Sequence, residues 1–275
     1  MWYHPGLPAH IPGSHFARNL VKSKSLLFQL VKRDLLQKYV GSAAGWVWSI
    51  IHPLVLWASY VFIFEYCLHQ TLVGGLTTNY PLNLFAGMLP WFLFSDTVIR
   101  SSNSIVEHAN LITKTMFPSE ILPLATFLSS LASHAVVLVI AAVVAAVIQQ
   151  NVNPALLLLP VWIFIAGLFT IGVSWIVAAL QVYLRDTAQL VVVVMTFWFW
   201  LTPIFLQESR FPHKAQVAEQ FNPLAYIVRA YRIMLLGRTA PSLGETAVAA
   251  AFGIVTFVLG GLFFRHMKKG FADVL

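Results

Sequence analysis

The residues of this 275-residue chain that could do chemistry are concentrated in one polar segment, Arg100 to Pro123, between two strongly apolar runs. Glu107, Lys114 and Glu120 lie in it, and such side chains bind a protein partner through ion pairs and charge-assisted hydrogen bonds. The chemistry indicated is therefore recognition of a soluble partner and not catalysis. The alternative is a loop that is merely solvated.

The same segment has the pattern of a short amphipathic helix. Its apolar residues recur at helical spacing, at Ile105, Ala109, Ile112 and Met116. Ser104 followed by Glu107 predicts a capping box at the start of the helix, and Pro118 predicts its end. We predict a cytosolic helix within 103–118 that couples the chain to its partner. The candidate coupling residues here are Glu107, Lys114, Phe117, Pro118 and Glu120.

Motifs for catalysis or energy coupling are absent from the sequence. It has no G-x-x-x-x-G-K-[ST] phosphate loop, no H-E-x-x-H and no cysteine cluster, and the single Cys67 excludes an intrachain disulfide. His4, His10 and His15 in the N-terminal tail lack the spacing of metal ligands. We therefore expect no enzyme activity, catalytic residue, cofactor or metal on this chain.

The composition is that of an integral membrane protein. Hydrophobic residues make up 59% of the chain and charged residues 10%, whereas soluble domains carry about 25% charged residues. The net charge of +7 comes from 17 Lys and Arg against 10 Asp and Glu. In a membrane protein such basic residues report orientation and contact with anionic lipid, so nucleic acid is not expected as a partner.

Apolar runs long enough to cross a bilayer predict an all-α fold with six transmembrane helices. The basic residues cluster before the first run, after the last run, and in the loops that follow the second and fourth runs. This distribution places both termini in the cytosol. The predicted spans are approximately 46–68, 82–99, 121–148, 154–182, 190–206 and 246–264.

Residues 1–45 precede the membrane domain (46–275) and are expected to form a flexible tail and a basic amphipathic helix on the cytosolic leaflet. The helix would turn an apolar stripe of Leu27, Phe28, Val31, Leu35 and Tyr39 to one side, with Leu30 and Leu36 outside it.

The segment 207–245 must lie outside and is long for a loop without structure of its own. Asn222 and Pro223 can start a helix within it. We predict re-entrant helices that dip into the outer half of the membrane. A seventh span is the topological alternative, and it would put the basic C-terminus outside.

Ionisable groups inside the spans are candidates for function because burying charge in a membrane is costly. Asp96 and Arg100 lie four residues apart and are predicted to pair on one helix face. Glu65 is a candidate for the transport pathway or for a simple contact with water at the outer membrane surface. His52 and His134 are expected to be satisfied interior groups.

Seven short motifs in a fixed order resemble a known family. They are K-Y-V-G-S-A-A-G-W-V-W followed by Pro53, G-M-L-P-W at 87–91, L-I-T-K-T-M-F-P-S-E-I-L-P at 111–123, R-D at 185–186, T-P-I at 202–204, N-P at 222–223 and Y-R at 231–232. The chain is similar in these motifs to polysaccharide-export ABC permeases of the type-2 exporter class, and most of all to permeases for lipid-linked O-antigen.

The resemblance implies a homodimeric permease in the bacterial inner membrane, bound to two copies of a separate cytosolic ATPase that holds ATP and Mg²⁺. The substrate would be a glycan on an undecaprenyl-diphosphate carrier. Arg185 and Asp186 would contact the ATPase or the N-terminal helix. The outer gate would be formed by Asn222, Pro223, Tyr231 and Arg232.

Two further groups of residues follow from the substrate that this resemblance implies. A lipid head group would arrive near Lys38, Tyr39, Trp46 and Trp48, although such residues also anchor proteins at membrane interfaces. Aromatic residues form 14% of the chain, and sugar faces stack on aromatic rings. The candidate channel aromatics are Trp57, Tyr60, Trp198 and Trp200, with lipid-facing positions as the alternative.

Other functions stay open at this point. Teichoic-acid or capsule export and the efflux of a drug or small lipid would use the same architecture. A membrane-embedded glycosyltransferase or polymerase would need clustered outer acids, but Glu208, Glu219 and Glu245 are widely spaced. A secondary transporter would usually need inverted repeats or midplane acids, and the sequence has neither.

Overall fold

A computed structural model describes residues 24–38, 45–72, 75–114, 117–205, 216–217 and 219–275. Every regular element among these residues is helical. The N-terminal tail, Tyr39, Thr115, Met116 and residues 206–215 lie outside the described ranges.

Helix α1 (Lys24–Gln37) packs against α5 (Ile121–Gln149). Leu30 is buried, and Leu26, Leu27 and Val31 pack against the same cluster, whereas Phe28 is 70% exposed. The side of α1 that faces α5 contains Leu30, which the predicted stripe leaves out, and Phe28 of the stripe points away from it. Contact of the stripe with the membrane surface stays a prediction.

The first long apolar helix, α2 (Trp48–Val61), continues as a π-helical turn, Phe62–Cys67. Helix α3 (Tyr80–Asn103) begins at Asn79, whose side chain accepts a hydrogen bond from the amide of Leu82 at 2.9 Å. Helix α3 packs against α2, α5, α6, α7 and α8. It is the central helix of the bundle.

After α3 the chain forms a 3-10 turn, Val106–His108, and the short helix α4 (Ala109–Lys114). The predicted capping box was wrong. The Ser104 hydroxyl donates to the carbonyl of Ser101 at 2.7 Å, because Ser104 still belongs to the turn that ends α3. Ile105 is fully buried and anchors the loop instead.

Helix α5 is followed by a 3-10 turn, Pro154–Leu158, and then by α6 (Leu159–Tyr183) and α7 (Thr187–Leu201). The segment 207–245 contains α8 (Pro223–Leu236), which is mostly buried and packs against α3, α5, α6 and α9. The chain ends with α9 (Leu243–Met267), a 3-10 turn (Lys268–Gly270) and α10 (Phe271–Val274).

Helices α6 and α9 form the closest packing in the bundle through glycine. A Cβ atom on Gly260 would overlap the backbone of Gly172, and a Cβ on Gly172 would overlap the carbonyl of Thr256. Gly253 brings α9 against the backbone of Ile165 in the same way, with 3.0 Å left for a Cβ. Small residues allow membrane helices to approach to backbone contact.

Five helices in the described part of the chain are long and apolar enough to span a membrane. They are Trp48–Cys67, Tyr80–Asn103, Ile121–Gln149, Pro154–Tyr183 and Leu243–Gly270. The fifth predicted span, 190–206, corresponds to α7, which is apolar but has only 15 residues. The chain is therefore an all-helical, multi-pass membrane protein.

Candidate functional site

A groove of about 570 Å³ lies between α2, α3, α5 and α7. Four of the predicted site residues line it: Lys38, Trp48, Tyr60 and Trp200. Most of its wall is apolar and aromatic, with hydroxyl groups from Ser49, Ser95, Ser130 and Ser133 along it. Such a wall offers stacking surfaces and weak hydrogen bonds without a deep polar binding site.

A network of charges closes one end of the groove. The Asp96 carboxylate accepts from Lys38 Nζ at 3.2 Å and from Ser130 Oγ at 2.7 Å, and it lies 3.5 Å from Arg100. Arg100 also binds Asp34 at 2.5 Å. The predicted Asp96–Arg100 pair is thus confirmed as part of a larger network that joins α1, α3 and α5.

Sequence reasoning missed Asp34 in this network. The signal was available, because Asp34 is the only acidic residue among the basic residues of α1. A lone acid on a basic helix is a candidate partner for a cation elsewhere in the fold.

Aromatic rings form the wall at the opposite end of the groove. Tyr60 packs its ring 4.8 Å from Phe205 and 5.7 Å from Phe199, and Trp200 stacks on Phe205 at 4.9 Å. Tyr60 and Trp200 thus belong to one aromatic cluster at the groove.

The other two channel candidates lie elsewhere. Trp57 donates its indole N–H to the carbonyl of Pro81 at 2.8 Å, and Trp198 donates to Asn222 Oδ1 at 3.0 Å. Both rings are partly buried and bind other elements of the bundle. The structure does not bring them together with Tyr60 and Trp200 on the groove wall.

Arg232 joins three of the sequence motifs at one point. Its guanidinium donates to the carbonyls of Asn83, Pro203 and Ile204 at 3.2, 2.7 and 2.5 Å. A Cβ atom on Gly87 would lie 2.7 Å from this guanidinium, so a larger residue there would have to displace the Arg232 side chain. The G-M-L-P-W, T-P-I and Y-R motifs therefore share one structural role, which holds α8 against α3 and the end of α7.

Asn222 ties the start of α8 to the end of α7. Its side-chain oxygen accepts from the amide of Leu224 and from Trp198, and its amide group donates to Thr202 Oγ1 at 3.2 Å. The predicted helix start at Asn222 and Pro223 is confirmed.

Tyr231 is fully buried, and its hydroxyl lies 3.2 Å from His134 Nε2. Burial raises the pKa of the Tyr231 hydroxyl, so it stays protonated and can donate to the imidazole. His134 is thus a satisfied interior group, as predicted, whereas His52 is exposed on the groove wall.

The predicted coupling residues occupy different environments. Glu107 is exposed and lines a second cavity of about 260 Å³ between α1 and the end of α3. Phe117 packs against a buried cluster on the same side of the bundle. Glu120 is bound internally, because its carboxylate pairs with Lys268 at 2.5 Å and its carbonyl accepts from Trp175.

Arg185 and Asp186 are both exposed on the turn between α6 and α7. Gln181 fixes this turn by donating to the carbonyl of Arg185 at 3.0 Å and accepting from the amide of Ala188 at 2.7 Å. Gln181 also binds Asn103 at the end of α3. Sequence reasoning missed Gln181, although a lone glutamine near the end of an apolar helix was a usable signal.

Some predicted positions cannot be placed. Tyr39 and the side chains of Trp46 and Lys114 lie outside the described residues. Among the side chains that are described, no group of three or more His, Cys, Asp or Glu residues could hold a metal ion.

Known proteins match the chain over most of its length. The sequence pattern of the ABC-2 type transporter family matches residues 25–236. An O-antigen export system permease protein RfbA from Myxococcus xanthus is 27% identical over 258 residues, which is 93% of this chain and 97% of that protein. Two proteins of the same name from Klebsiella pneumoniae are each 27% identical over 253 residues, which is 91% of this chain and 95% of each of theirs.

Proposed function

The chain belongs to the ABC-2 type transporter family, and from this premise we propose that it is the membrane subunit of an ATP-driven exporter of lipid-linked O-antigen or a similar polysaccharide. The observation that carries the proposal is the end-to-end match with three O-antigen export permeases. ATP binding and hydrolysis take place on a separate subunit, and the permease performs no chemistry.

The groove supports a role in transport. Lys38 lies at one end of it, where a cationic side chain can attract the phosphates of a lipid carrier such as undecaprenyl diphosphate. Tyr60 and Trp200 lie at the other end, where aromatic rings can stack on sugar faces without trapping them. A lipid-linked glycan would thus contact Lys38 first and then the aromatic rings of Tyr60 and Trp200.

The exposed side chains of α2 and α7 support a homodimer. Both helices line the groove, and both expose large apolar residues, including Val55 of α2 at 57% and Phe197 of α7 at 67%. A second copy of the chain would cover these residues and close the groove into a channel. The Arg232 network then serves as the outer gate, because it fixes α8 across the ends of α3 and α7.

The proposed topology has six spans in the bacterial inner membrane, with both termini in the cytosol. Helix α7 is about 22 Å long at 1.5 Å per residue, so it completes its crossing together with residues 202–205. An even number of spans keeps the basic residues of α1 and of the C-terminal segment on the same side. Glu107, Phe117, Pro118, Arg185 and Asp186 then face a cytosolic ATPase.

The test is complementation in a host strain that lacks its own O-antigen export permease. The chain is expressed with its partner ATPase, and surface O-antigen is measured. Export is expected with the active ATPase and not with a variant that binds ATP without hydrolysing it. Normal hydrolysis without glycan at the surface, or export without any ATPase, would contradict the proposal.

A further inference from the structure

Residues 268–275, which we name the C-terminal clamp, fold back against the bundle. The clamp consists of the 3-10 turn Lys268–Gly270, helix α10 and Leu275. Helix α10 packs against both α4 and α6, and Phe271 is 1% exposed. The family pattern ends at residue 236, so the family match does not account for this segment.

Polar contacts fix the clamp at two points. We name the connection between α3 and α5, residues 104–120, the coupling loop. Lys268 Nζ binds the Glu120 carboxylate at 2.5 Å, where this loop enters α5. Tyr183, the last residue of α6, donates its hydroxyl to the carbonyl of Met267 at 2.7 Å. A Cβ atom on Gly270 would lie 2.6 Å from that hydroxyl, so a larger residue there would have to displace the Tyr183 side chain.

An apolar contact joins the same elements. Phe271 belongs to a buried cluster with Ile105, Ile121 and Val182. Ile112 of α4 packs against this cluster, as do Phe117 and Leu275. The clamp therefore touches the coupling loop on one side and, on the other, the end of α6, directly before the Arg185–Asp186 turn.

Helix α4 needs such support because the described part of the chain gives it only six residues. Isolated helices shorter than about 12 residues are marginal, so α4 cannot keep its orientation without packing against its neighbours. A load applied to an unsupported α4 would tilt it locally. With Phe271 behind it, the load passes into α6 and α9.

We propose that the C-terminal clamp is a positioning element that transmits movement of the coupling loop to α6 and α9. The inference rests on the proposed function, in which an ATPase acts on that loop. Phe271 and Lys268 are its positioning residues, and neither is required to touch ATP, the ATPase or the glycan.

The experiment uses the full chain with its ATPase, reconstituted in vesicles, and measures glycan transported and ATP hydrolysed in the same sample. In Phe271→Ala and Lys268→Glu we expect the complex to form and to hydrolyse ATP as in the wild type. Glycan transported per ATP should fall by about tenfold, which is within the usual range of coupling between sites. Phe271→Leu should retain most of the coupling.

Two further variants make the result specific. Lys269→Glu is the matched control, because Lys269 is exposed next to Lys268, and it should behave as wild type. Combining Lys268→Glu with Glu120→Lys restores the ion pair with reversed charges and should recover export per ATP.

Two results would overturn the proposed role of the clamp. One is an unchanged amount of glycan transported per ATP in Phe271→Ala. The other is a loss of ATP hydrolysis in that variant that equals its loss of export. If Phe271→Ala does not reach the membrane, the combination of Lys268→Glu with Glu120→Lys tests the proposal instead. Failure of this combination to recover export per ATP would also overturn the proposal. Failure of the proposed function is distinguishable, because the wild-type complex itself would then show no ATP-dependent export.

Discussion

At the scale of single residues, Arg232 binds the backbone of two other parts of the fold at once. Its three donors point at three carbonyls from two separate segments, an arrangement that matches the rigid fork of a guanidinium. A lysine ammonium is a point charge on a flexible stem and cannot reproduce this geometry. The residue therefore acts by its shape as much as by its charge.

We predict that Arg232→Lys destabilises the protein although it keeps the charge. Each buried carbonyl left without a donor costs about 1–3 kcal/mol. The thermal unfolding of detergent-purified protein measures the effect, and export should decrease with it. Arg238→Lys is the control, because Arg238 is exposed. Equal unfolding temperatures for the two variants would contradict the role given to Arg232.

At the scale of elements, the sequence predicted the long apolar helices and the turn at Asn222 well. Apolar length and helix-start residues are local signals, so they can be read without knowledge of the fold. The capping box at Ser104 failed because the turn after α3 takes the serine hydroxyl first. The sites of Trp57 and Trp198 depend on which face of each helix meets a neighbour, and the all-round apolar sequence of these helices does not specify that face.

The coupling loop yields a prediction at this scale. Replacing Glu107 by Ala, or Phe117 and Pro118 together by Ala, should abolish glycan export and leave membrane insertion intact. Glu107 is exposed where a partner can reach it, whereas Glu120 already binds Lys268. Co-purification of the ATPase should be lost in the same variants. Wild-type export with both sites changed would show that the loop is not the docking site.

The contact between α6 and α9 gives a second prediction. In Gly260→Ala the added methyl group overlaps the backbone of Gly172, which cannot move aside as a side chain could. Overpacking of this kind costs about 1–3 kcal/mol, so the unfolding temperature should drop. Gly244→Ala lies on the same helix with open space around it and should cause no such loss. A tolerated Gly260→Ala would mean that the two helices are less closely packed.

At the scale of the whole molecule, orientation follows from the distribution of Lys and Arg and not from any contact. The charge signal was readable in the sequence because the rule depends only on which loops are basic. The number of spans is harder to predict from the sequence, because α7 is shorter than the five helices that are long enough to span a membrane. The position and size of the groove could not be predicted from the sequence, because the groove is formed by four helices that are far apart in the chain.

The single cysteine provides a test of this orientation. Cys67 is exposed near the end of the first span, which the proposed topology places outside. A membrane-impermeant maleimide should therefore label it in intact spheroplasts. Lys32→Cys in a Cys67→Ser background should be labelled only after permeabilisation, because the proposed topology places α1 in the cytosol. The reverse pattern would invert the topology.

The glycine contact between α6 and α9 has a mechanical consequence for the molecule. The backbones of α6 and α9 touch at Gly172 and Gly260, so neither helix can move toward the other without overlap. Helix α2 is the opposite case, because Val61 is the only buried residue along Trp48–Cys67. Outward movement of α2 would therefore expose fewer buried side chains than deformation of the contact between α6 and α9. In the proposed homodimer the second copy covers the exposed first span, so the partner chain would hold that wall of the groove in place.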